Sequence, residues 1–400
     1  MNYIGEDVNA LVLDIGTQWT RAGFTGDVEP KAKVYSALGV DLDDDQPSQR
    51  HLAGDELHVP HKDLRVLSPV QHGLVDDWDA VQRVWRHAFD GVLNLKMREH
   101  PVMLVEPNHN TRDRREKACE LLFEGEGVPA VFLAKAATLA SFSVGRPTAL
   151  VVEAGAGVLS TTPVQDGYVL MSGHRHTRMA GNFLDERMEQ LMLQDIQGNE
   201  IIPDYEAHGD VVSGITSSYR RFWQNDVIRD AKEALCQVSL TPLSQGQPGD
   251  LKTAKYELPD GQTLSWAQKR TQVPELFFTG ADIENDLEAD FEFTGIGGMM
   301  NESIRAVDVD VQRDLYSSVV LAGGCTDLDN FAERLSSELL RIAPGSAKIK
   351  VVAPSAGLPA CNAAWIGGSI LSSLGTFQQL WFSKQEYEEH GAQYIKRKCP

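Results

Sequence analysis

The chain has 400 residues, of which 42% are hydrophobic and 24% are charged, as is typical of a folded globular protein with at least two domains. Its net charge of −20 opposes non-specific adhesion to nucleic acid or to an anionic membrane, so DNA contact is expected to be local at most or supplied by a partner. No apolar run is long enough to cross a membrane, so no membrane partner is expected.

Residues 11–24 predict two strands joined by a tight turn, because apolar β-formers lie on both sides of a glycine. Gly16 in such a turn lets backbone N–H groups converge on an anion, and the Thr17 hydroxyl can join them. The Asp14 carboxylate can hold hydrated magnesium, usually through water, and Arg21 adds positive charge. Taken alone, the stretch also fits a plain hairpin turn without a ligand.

The first half of the chain then alternates between strands and helices. Residues 33–65 contain short polar runs, and a solvated turn is expected at the acidic segment 41–45. Acidic residues followed by an apolar face predict an amphipathic helix over 76–89. Further strands are predicted at 101–105 and 129–133, followed by a helix capped by Thr111 that runs to 124 and a helix over 134–142. This alternation predicts an α/β architecture with parallel sheet character.

The pattern of the opening turn recurs at residues 150–157, where Glu153 follows an apolar strand and precedes glycines. Two such turns in one chain predict two related halves that face each other across a cleft. Residues 181–274 predict a largely helical excursion, with a hairpin at 256–262 whose turn is Asp-Gly. An acidic stretch at 282–292 is expected to be a solvated insertion.

Two glycine pairs follow near the end of the chain. Gly323 and Gly324 end a strand and permit close backbone approach to a flat ligand. Residues 364–371 carry a second pair, which equally suits a helix packed tightly against a neighbour.

With these elements in place, the chain resembles the actin family over almost its whole length. The opening turn is similar to the first phosphate loop of actin, residues 323–324 to its adenosine loop, and residues 364–371 to its late helix. The tail resembles an actin carboxyl terminus at 375–379, 383–387 and 397–400. Within the family, residues 110–117, 164–170 and 388–389 look most like the nuclear actin-related proteins of the fourth type.

The resemblance implies the fold shared by actin, hexokinase and heat-shock chaperone ATPases, in which two similar α/β domains flank a nucleotide cleft and each carries a small appended subdomain. The first large subdomain would comprise 1–32, 72–143 and 360–400, with 33–71 as its small subdomain. The second large subdomain would comprise 144–180 and 292–359, with 181–291 as its inserted subdomain, which carries the acidic insertion.

The resemblance also implies ATP with magnesium as the cofactor. Asp14 and Glu153 would hold the metal through water. Gln18 and Arg21 replace a glycine and a lysine of actin, which reshapes the phosphate loop. The implied nucleotide-binding residues are Asp14, Gly16, Thr17, Gln18, Arg21, Gly155, Gly157, Gly181, Arg229, Lys232, Glu233, Gly323 and Gly324.

The residues that carry out hydrolysis in actin are replaced in this chain. The position that orients the attacking water is Ala136, and two further positions in the second turn are Ala156 and Ser160. A methyl group cannot orient water, and phosphoryl transfer depends on positioning the nucleophile. The resemblance therefore implies an ATP-binding protein with no catalytic residues and little or no hydrolysis.

The implied function is a scaffold subunit of nuclear chromatin-remodelling and histone-acetyltransferase complexes, with roles in transcription regulation and DNA repair. Its expected partners are nuclear actin, other actin-related proteins and a helicase-SANT-associated helix, which would bind in an apolar groove near 365–371 and Phe377. Histone docking on 282–292 is a sharper hypothesis for that insertion. A nuclear location is expected, and the five scattered cysteines fit a reducing compartment.

Two other functions stay open on the sequence alone. The first is an active ATPase or a phosphotransferase such as a sugar kinase, against which the missing water-positioning residue argues. The second is a filament-forming actin, against which the altered loops at 41–45 and 282–292 argue.

Overall fold

The structure is a computed structural model that describes residues 9–42, 51–209, 213–246, 251–279, 293–345, 347–352 and 358–400. The acidic insertion at 282–292 and most of the acidic turn at 41–45 lie outside these ranges.

Strands occur throughout the described residues. They are β1 Leu11–Ile15, β2 Trp19–Phe24, β3 Ala32–Tyr35, β4 Leu38–Asp41, β5 His51–Ala53, β6 Leu64–Leu67, β7 Val70–Gln71, β8 Leu74–Val75, β9 Val102–Glu106, β10 Ala130–Lys135, β11 Ala149–Ala154, β12 Leu159–Gln165, β13 Tyr168–Val169, β14 Arg175–Thr177, β15 Ala254–Glu257, β16 Thr263–Trp266, β17 Val319–Ala322, β18 Val351–Val352 and β19 Phe382–Ser383.

The α-helices alternate with these strands, and shorter helical turns connect several of them. They are α1 Trp78–Arg86, α2 Arg112–Glu120, α3 Ala136–Ser143, α4 Gly181–Leu193, α5 Asp204–Ala207, α6 Ser217–Leu235, α7 Lys269–Thr279, α8 Ile296–Arg305, α9 Val309–Ser317, α10 Phe331–Ile342, α11 Ala363–Ser373, α12 Lys384–His390 and α13 Ile395–Lys398. Among the described residues, no helix combines the length and the apolar character that a membrane crossing needs.

One large sheet forms the centre of each half. The first has the strand order β19-β10-β9-β1-β2-β3, and the second is built on β13-β12-β11-β17-β18 with β14 paired to β12. Each contains an antiparallel hairpin, β1–β2 or β11–β12, whose first strand pairs in parallel with β9 or β17. The two related halves expected from the repeated turn are therefore present, and the actin-like α/β fold is confirmed. The residue boundaries proposed for the four subdomains stay a prediction.

The predicted helices of the first half form as their patterns indicate. The Asp77 carboxylate caps α1 by accepting from the Ala80 N–H at 2.9 Å, and Thr111 caps α2. The apolar face of the first helix, including Val81 and Trp85, is fully buried against the first sheet. Helix formation here follows the amphipathic period, because burial of one apolar stripe supplies most of the stability of a short helix.

Helices α3 and α11 pack against each other. A Cβ at Gly367 would lie 1.8 Å from the Leu139 carbonyl oxygen, so only glycine permits this approach. The glycine pair at 364–371 thus belongs to a closely packed helix, which was one of the two interpretations left open by the sequence.

The smaller parts of the two halves lie beside the sheets. Strands β4, β5 and β6 form a three-stranded sheet between β3 and α1, where the sequence had indicated only polar runs. On the other half, α4 to α7 surround the predicted hairpin, β15–β16, which turns at Asp260 and Gly261. We call the two halves, each with its smaller part, the first lobe and the second lobe.

Candidate functional site

A cavity of about 510 Å³ lies between the two lobes, within the size range of small-molecule sites. Its walls come from the turns of both central hairpins, the start of α3, helix α6 and the glycine pair after β17. Every residue that the resemblance assigned to a nucleotide, a metal or hydrolysis lines this cavity, with the exception of Arg229.

The two hairpin turns approach each other closely at the cavity wall. A Cβ on Gly157 would lie 2.4 Å from the Thr17 hydroxyl oxygen, so a side chain at this position would force the turns apart. The same hydroxyl oxygen accepts a hydrogen bond from the Gly73 N–H at 3.0 Å, which fixes its orientation. The turns therefore bring backbone and the Thr17 hydroxyl to the space between the lobes, where Gln18 and Trp19 also line the cavity.

Each turn is closed by one backbone hydrogen bond. The Gly16 N–H donates to the Trp19 carbonyl at 2.9 Å, and the Gly155 N–H donates to the Val158 carbonyl at 3.0 Å. The backbone N–H groups of Thr17 and Gly157, which lie inside the turns, are not used in these two bonds, and both residues line the cavity. Successive backbone N–H groups of this kind are typical of an anion-binding site.

Two carboxylates from equivalent strands share the cavity. Asp14 ends β1 and Glu153 lies near the end of β11, and both line the space. Burial, and secondly the neighbouring Asp14 charge, raise the pKa of Glu153 to about 7. Burial also raises the pKa of Asp14, against the opposing effect of Arg21. A divalent cation would offset the mutual repulsion of these carboxylates, and oxygen is the ligand that magnesium prefers.

The cation beside the Asp14 carboxylate is held from a distant part of the chain. The Arg21 guanidinium lies 3.6 Å from an Asp14 oxygen and is almost completely buried. Its Nε donates to the Asn362 side-chain oxygen at 2.9 Å, although 341 positions separate the two residues. Asn362 therefore sets the direction of the positive group at the phosphate-loop end of the cavity.

On the opposite wall, α6 contributes Lys232 and Glu233 to the lining. The Lys232 ammonium is buried and paired with the Asp185 carboxylate, and it donates to the Gly181 carbonyl at 3.3 Å. Arg229 lies outside the lining, since its guanidinium pairs with Asp185 at 3.2 Å and with Asp226 at 3.5 Å. Arg229 does not line the cavity, so its contact with a nucleotide stays a prediction.

The replaced hydrolysis positions all line the cavity. Ala136 begins α3 and is 5% exposed, so its methyl group faces the cavity without a polar atom. In the second sheet Ser160 is paired directly opposite Glu153 on β11 and opposite His176 on β14. The strand neighbours of Glu153 are thus Ser160 on one side and Ala322 on the other, and His176 lies one strand beyond Ser160.

A stack of histidine rings, which the sequence did not single out, bridges the lobes at this end of the cavity. We define the histidine stack as His109 of the first lobe with His174 and His176 of the second. Ring centroids lie 4.5 Å apart for His109 and His176, and 5.2 Å apart for His174 and His176. His109 itself lines the cavity and its Nε2–H donates to the His72 carbonyl at 3.1 Å.

Two histidines of the stack, His109 and His174, are neutral near pH 7. Burial, followed by the effect of His176, lowers the pKa of His109 to about 4 and that of His174 to about 3. No metal-binding cluster of His, Cys, Asp and Glu occurs in the described ranges. Sequence patterns did not indicate the stack, because His109 is far along the chain from His174 and His176 and only the fold brings the three rings together.

Comparisons with known proteins agree with this architecture. The family model described as Actin matches residues 5–400. Actin-related protein 4 of Arabidopsis thaliana is 39% identical over 442 aligned residues, which cover 100% of both chains. Actin-related protein 4 of Oryza sativa subsp. indica is 36% identical with the same coverage. Actin-related protein 4 of Yarrowia lipolytica is 32% identical over 99% of this chain and 97% of that protein.

Proposed function

Because the chain belongs to the actin family, we propose that it is a non-catalytic, nuclear scaffold subunit that holds magnesium-ATP as a structural ligand. The observation that carries the proposal concerns the cavity lining. The residues expected to bind the nucleotide line the cavity, apart from Arg229, whereas the hydrolysis positions carry Ala136, Ala156 and Ser160. The assemblies proposed are chromatin-remodelling and histone-acetyltransferase complexes, in line with the similarity to actin-related proteins of the fourth type.

The residues of the cavity fit a nucleotide with its metal. The phosphates would lie between the turns at Thr17 and Gly157, with Arg21 as the counter-charge. Asp14 and Glu153 would hold magnesium through water, and the base and ribose would face Glu233 and the glycines after β17. Bound in this way, magnesium-ATP supplies charge neutralisation between the two turns and stabilises the native state by mass action.

Retention without turnover follows from the groups beside the turns. Ala136 has no atom that could orient an attacking water, and Ser160 replaces a larger polar side chain of the family. Loss of a single positioning or charge-stabilising group commonly slows an enzyme by about 10²- to 10³-fold. We therefore expect bound ATP to stay intact over a time in which an actin hydrolyses it.

The test is to load purified protein with ATP and magnesium, wash it, incubate it for hours, denature it and identify the released nucleotide by chromatography. Intact ATP supports a structural ligand, and an actin taken through the same steps provides the control for hydrolysis. Recovery of ADP would overturn the non-catalytic assignment. Recovery of no nucleotide would show that Gln18, Arg21 and Glu153 have abolished binding.

The proposed docking groove for a helicase-SANT-associated helix involves α11 and the turn that follows it. Trp365 and Phe377, which the sequence analysis placed at this groove, are buried in the core of the first lobe. Three exposed apolar side chains are offered to a partner instead. Ile370 is 41% exposed, Leu374 is 47% exposed and Leu380 is 49% exposed. An amphipathic helix would bury them in a helix-in-groove contact.

Substitution of Leu374→Glu should abolish capture of the protein, together with actin, by an immobilised peptide of the scaffold helix. Val309→Glu is the matched control, since Val309 is 76% exposed on α9, a helix of the second lobe. A complex that forms equally well without the scaffold helix would contradict this mode of assembly.

Histone contact through the acidic insertion, which lies outside the described residues, is a separate part of the proposal. Charge reversal at Glu288 and Asp290 should weaken histone binding, with a loss that shrinks as salt is added because screening reduces surface electrostatics. Unchanged binding across the salt series would remove the histone role and leave the scaffold function in place.

A further inference from the structure

A second hollow, of about 530 Å³, lies on the first lobe, where the end of the chain meets α2. It shares no lining residue with the cavity between the lobes. The described residues of its lining carry three permanent positive charges and no carboxylate. They are Arg112, His390, Gln393, Tyr394, Lys396 and Arg397. We call this surface the basic hollow.

The positive charge of the basic hollow contrasts with the charge of the whole chain. Residues 390–400 contain three lysine or arginine residues and no aspartate or glutamate, whereas the chain has a net charge of −20. Lys398 pairs with Glu386 at 3.1 Å, but neither Lys396 nor Arg397 forms an ion pair with a described carboxylate. Both side chains are exposed, so their charges are available to a partner.

The chain end that carries these cations is fastened to the core of the first lobe. Ile395 and Cys399 are each 1% exposed and belong to the core beside the first sheet. The Arg115 guanidinium donates to the Cys399 carbonyl at 2.5 Å, and the Leu133 N–H donates to the Cys399 sulfur at 3.3 Å. The backbone of the two cations between these anchors is therefore fixed, which lowers the entropy cost of binding a partner.

Aromatic rings connect the basic hollow to the same core. The ring centroids of His390 and Tyr394 lie 4.4 Å apart, and the Tyr394 ring lies 5.8 Å from that of the buried Phe382. The guanidinium carbon of Arg397 lies 5.6 Å from the centre of the Tyr394 ring. A guanidinium beside a ring is held by cation–π attraction and keeps its in-plane N–H donors for a carboxylate.

Arg112 of α2 completes the lining from a distant part of the chain. Its Nε donates to the Glu116 carboxylate at 2.6 Å, but its side chain is 62% exposed, so water and salt screen this pair. The other N–H groups of the guanidinium can donate to a second carboxylate. Glu389 lies 3.9 Å from His390 Nε2 at another edge of the hollow. Neither of these two acids pairs with Lys396 or Arg397.

The charge and the exposure of the basic hollow favour an extended acidic peptide as its ligand. A free anion would contact one or two exposed cations and stay largely solvated, so salt would screen its binding. A nucleic acid would continue past the hollow over a chain whose net charge is −20 and would be repelled there. A peptide with acidic residues at alternate positions presents several carboxylates on one face and can end where the hollow ends.

We propose that the basic hollow binds an acidic peptide segment of a partner protein. Carboxylates of the peptide pair with Arg112 on one side and with Lys396 and Arg397 on the other, where the arginine forks can donate two parallel hydrogen bonds to one carboxylate. The Tyr394 ring packs against the peptide between them. The proposal does not depend on the nucleotide assigned to the cleft, so either can fail without the other.

The first experiment measures, by fluorescence anisotropy, binding of the full chain to a fluorescein-labelled peptide in which Glu alternates with Ser. Lys396→Glu combined with Arg397→Glu should raise the dissociation constant about tenfold or more, because attraction is replaced by repulsion at two positions. Arg112→Glu should raise it about fivefold. Added salt should weaken binding to the native chain more than binding to the double variant.

Lys252→Glu combined with Lys255→Glu is the matched control. Both lysines are exposed on the second lobe, and the net charge changes by the same amount, so the affinity for the peptide should stay that of the native chain. A peptide with Gln in place of Glu should not bind. Equal dissociation constants in the native chain and in the variant of Lys396 and Arg397 would overturn the proposal.

Two competing ligands test the chemical class. Inorganic tripolyphosphate and a single-stranded oligothymidylate should each bind the native chain more weakly than the peptide does. Tighter binding of either one, lost in the same double variant, would overturn the proposal and assign the basic hollow to a free anion or to a nucleic acid.

A second readout needs no substitution. Sulfo-N-hydroxysuccinimide acetate modifies exposed lysines of the native chain, and mass spectrometry follows the rate at each site. Peptide at about ten times its dissociation constant should slow acetylation of Lys396 about tenfold and leave that of Lys255 unchanged. Equal rates at Lys396 with and without bound peptide would place the peptide elsewhere and overturn the proposal.

Discussion

In the part of the chain that the structure describes, rings from the two lobes meet at two places around the cleft, and the two bridges differ in chemistry. The first, which we call the aromatic bridge, joins α6 to the small sheet and β3 through Phe222, Trp223 and Tyr35, whose side chains do not change charge near neutral pH. The histidine stack joins the lobes at the hydrolysis end through three imidazoles. Burial favours the first bridge at any ordinary pH, whereas it favours the second only while the imidazoles are neutral. Closure of the cleft should therefore depend on pH at one end and on packing at the other.

The largest expected effect is on packing at the aromatic bridge. Trp223→Ala removes a ring that contacts His58, Tyr205 and Tyr219, and it should lower the free energy of unfolding by about 3–5 kcal/mol. Urea denaturation at pH 7.5 and pH 6 should give a similar loss at both values. Truncation of the exposed Val309 to alanine should change stability by less than about 0.5 kcal/mol. A loss at Trp223 as small as this would mean that the aromatic bridge is not a core shared by the two lobes.

A ligand in the cleft should reinforce both bridges because it contacts both lobes. Magnesium-ATP at 100 times its dissociation constant should stabilise the chain by about 2.7 kcal/mol in thermal melts. Asp14→Asn weakens the magnesium site and should reduce this gain while leaving the melt of the nucleotide-free chain nearly unchanged. The same gain in the native chain and in Asp14→Asn would exclude Asp14 from the ligand site.

The histidine stack should make stability fall on acidification. The pKa values of His109 and His174 in the folded chain, about 4 and about 3, lie below the value near 6.5 of an unfolded chain. The unfolded state therefore binds more protons below pH 6.5, and stability falls as the pH drops from 6.5 toward 4. We expect the two histidines together to cost roughly 3 kcal/mol between pH 6.5 and pH 5.

The double variant His109→Gln, His174→Gln isolates this effect. Its stability between pH 6.5 and pH 5 should depend on pH less steeply than that of the native chain, whereas Trp223→Ala should keep the native pH dependence. Parallel pH profiles for the native chain and the double variant would show that the stack does not titrate on unfolding.

The smallest expected effect concerns the cavity and neither bridge. Asn362→Ala removes the acceptor for Arg21 Nε and should weaken ATP binding by about 1 kcal/mol, or roughly fivefold. Calorimetric titration with magnesium-ATP measures this change. An unchanged dissociation constant would mean that the Asn362 contact with Arg21 does not support ligand binding.

Local patterns predicted a large part of the fold and most of the candidate site. The turns after β1 and β11 each show an apolar run, an acid and a glycine, so the sequence alone indicated two facing halves. The caps at Asp77 and Thr111 and the Asp-Gly hairpin turn are local features as well, and the structure contains all three. Ala136 and Ser160 could be located because the resemblance aligned the motifs on either side of them.

Other parts could not be inferred from local patterns. Asn362 meets Arg21 across 341 positions, and nothing near either residue indicates the other. Arg229 lies on α6, whose residues Lys232 and Glu233 line the cavity, but its own side chain pairs with Asp185 and Asp226 and does not line it. The small sheet formed by β4, β5 and β6 has short strands in a polar stretch, which gives too little alternation for a prediction.

The sequence by itself determined the strand-turn motifs, the helical faces and the chemistry of the replaced positions, because each of these depends on neighbours within a few residues. Tertiary structure decided which lobe a buried side chain packs against. An aromatic residue on an amphipathic helix has the same period whether its ring fills the core of its own lobe or that of the other. For that reason Phe222, Trp223 and the histidine stack became bridges between lobes only once the chain had folded.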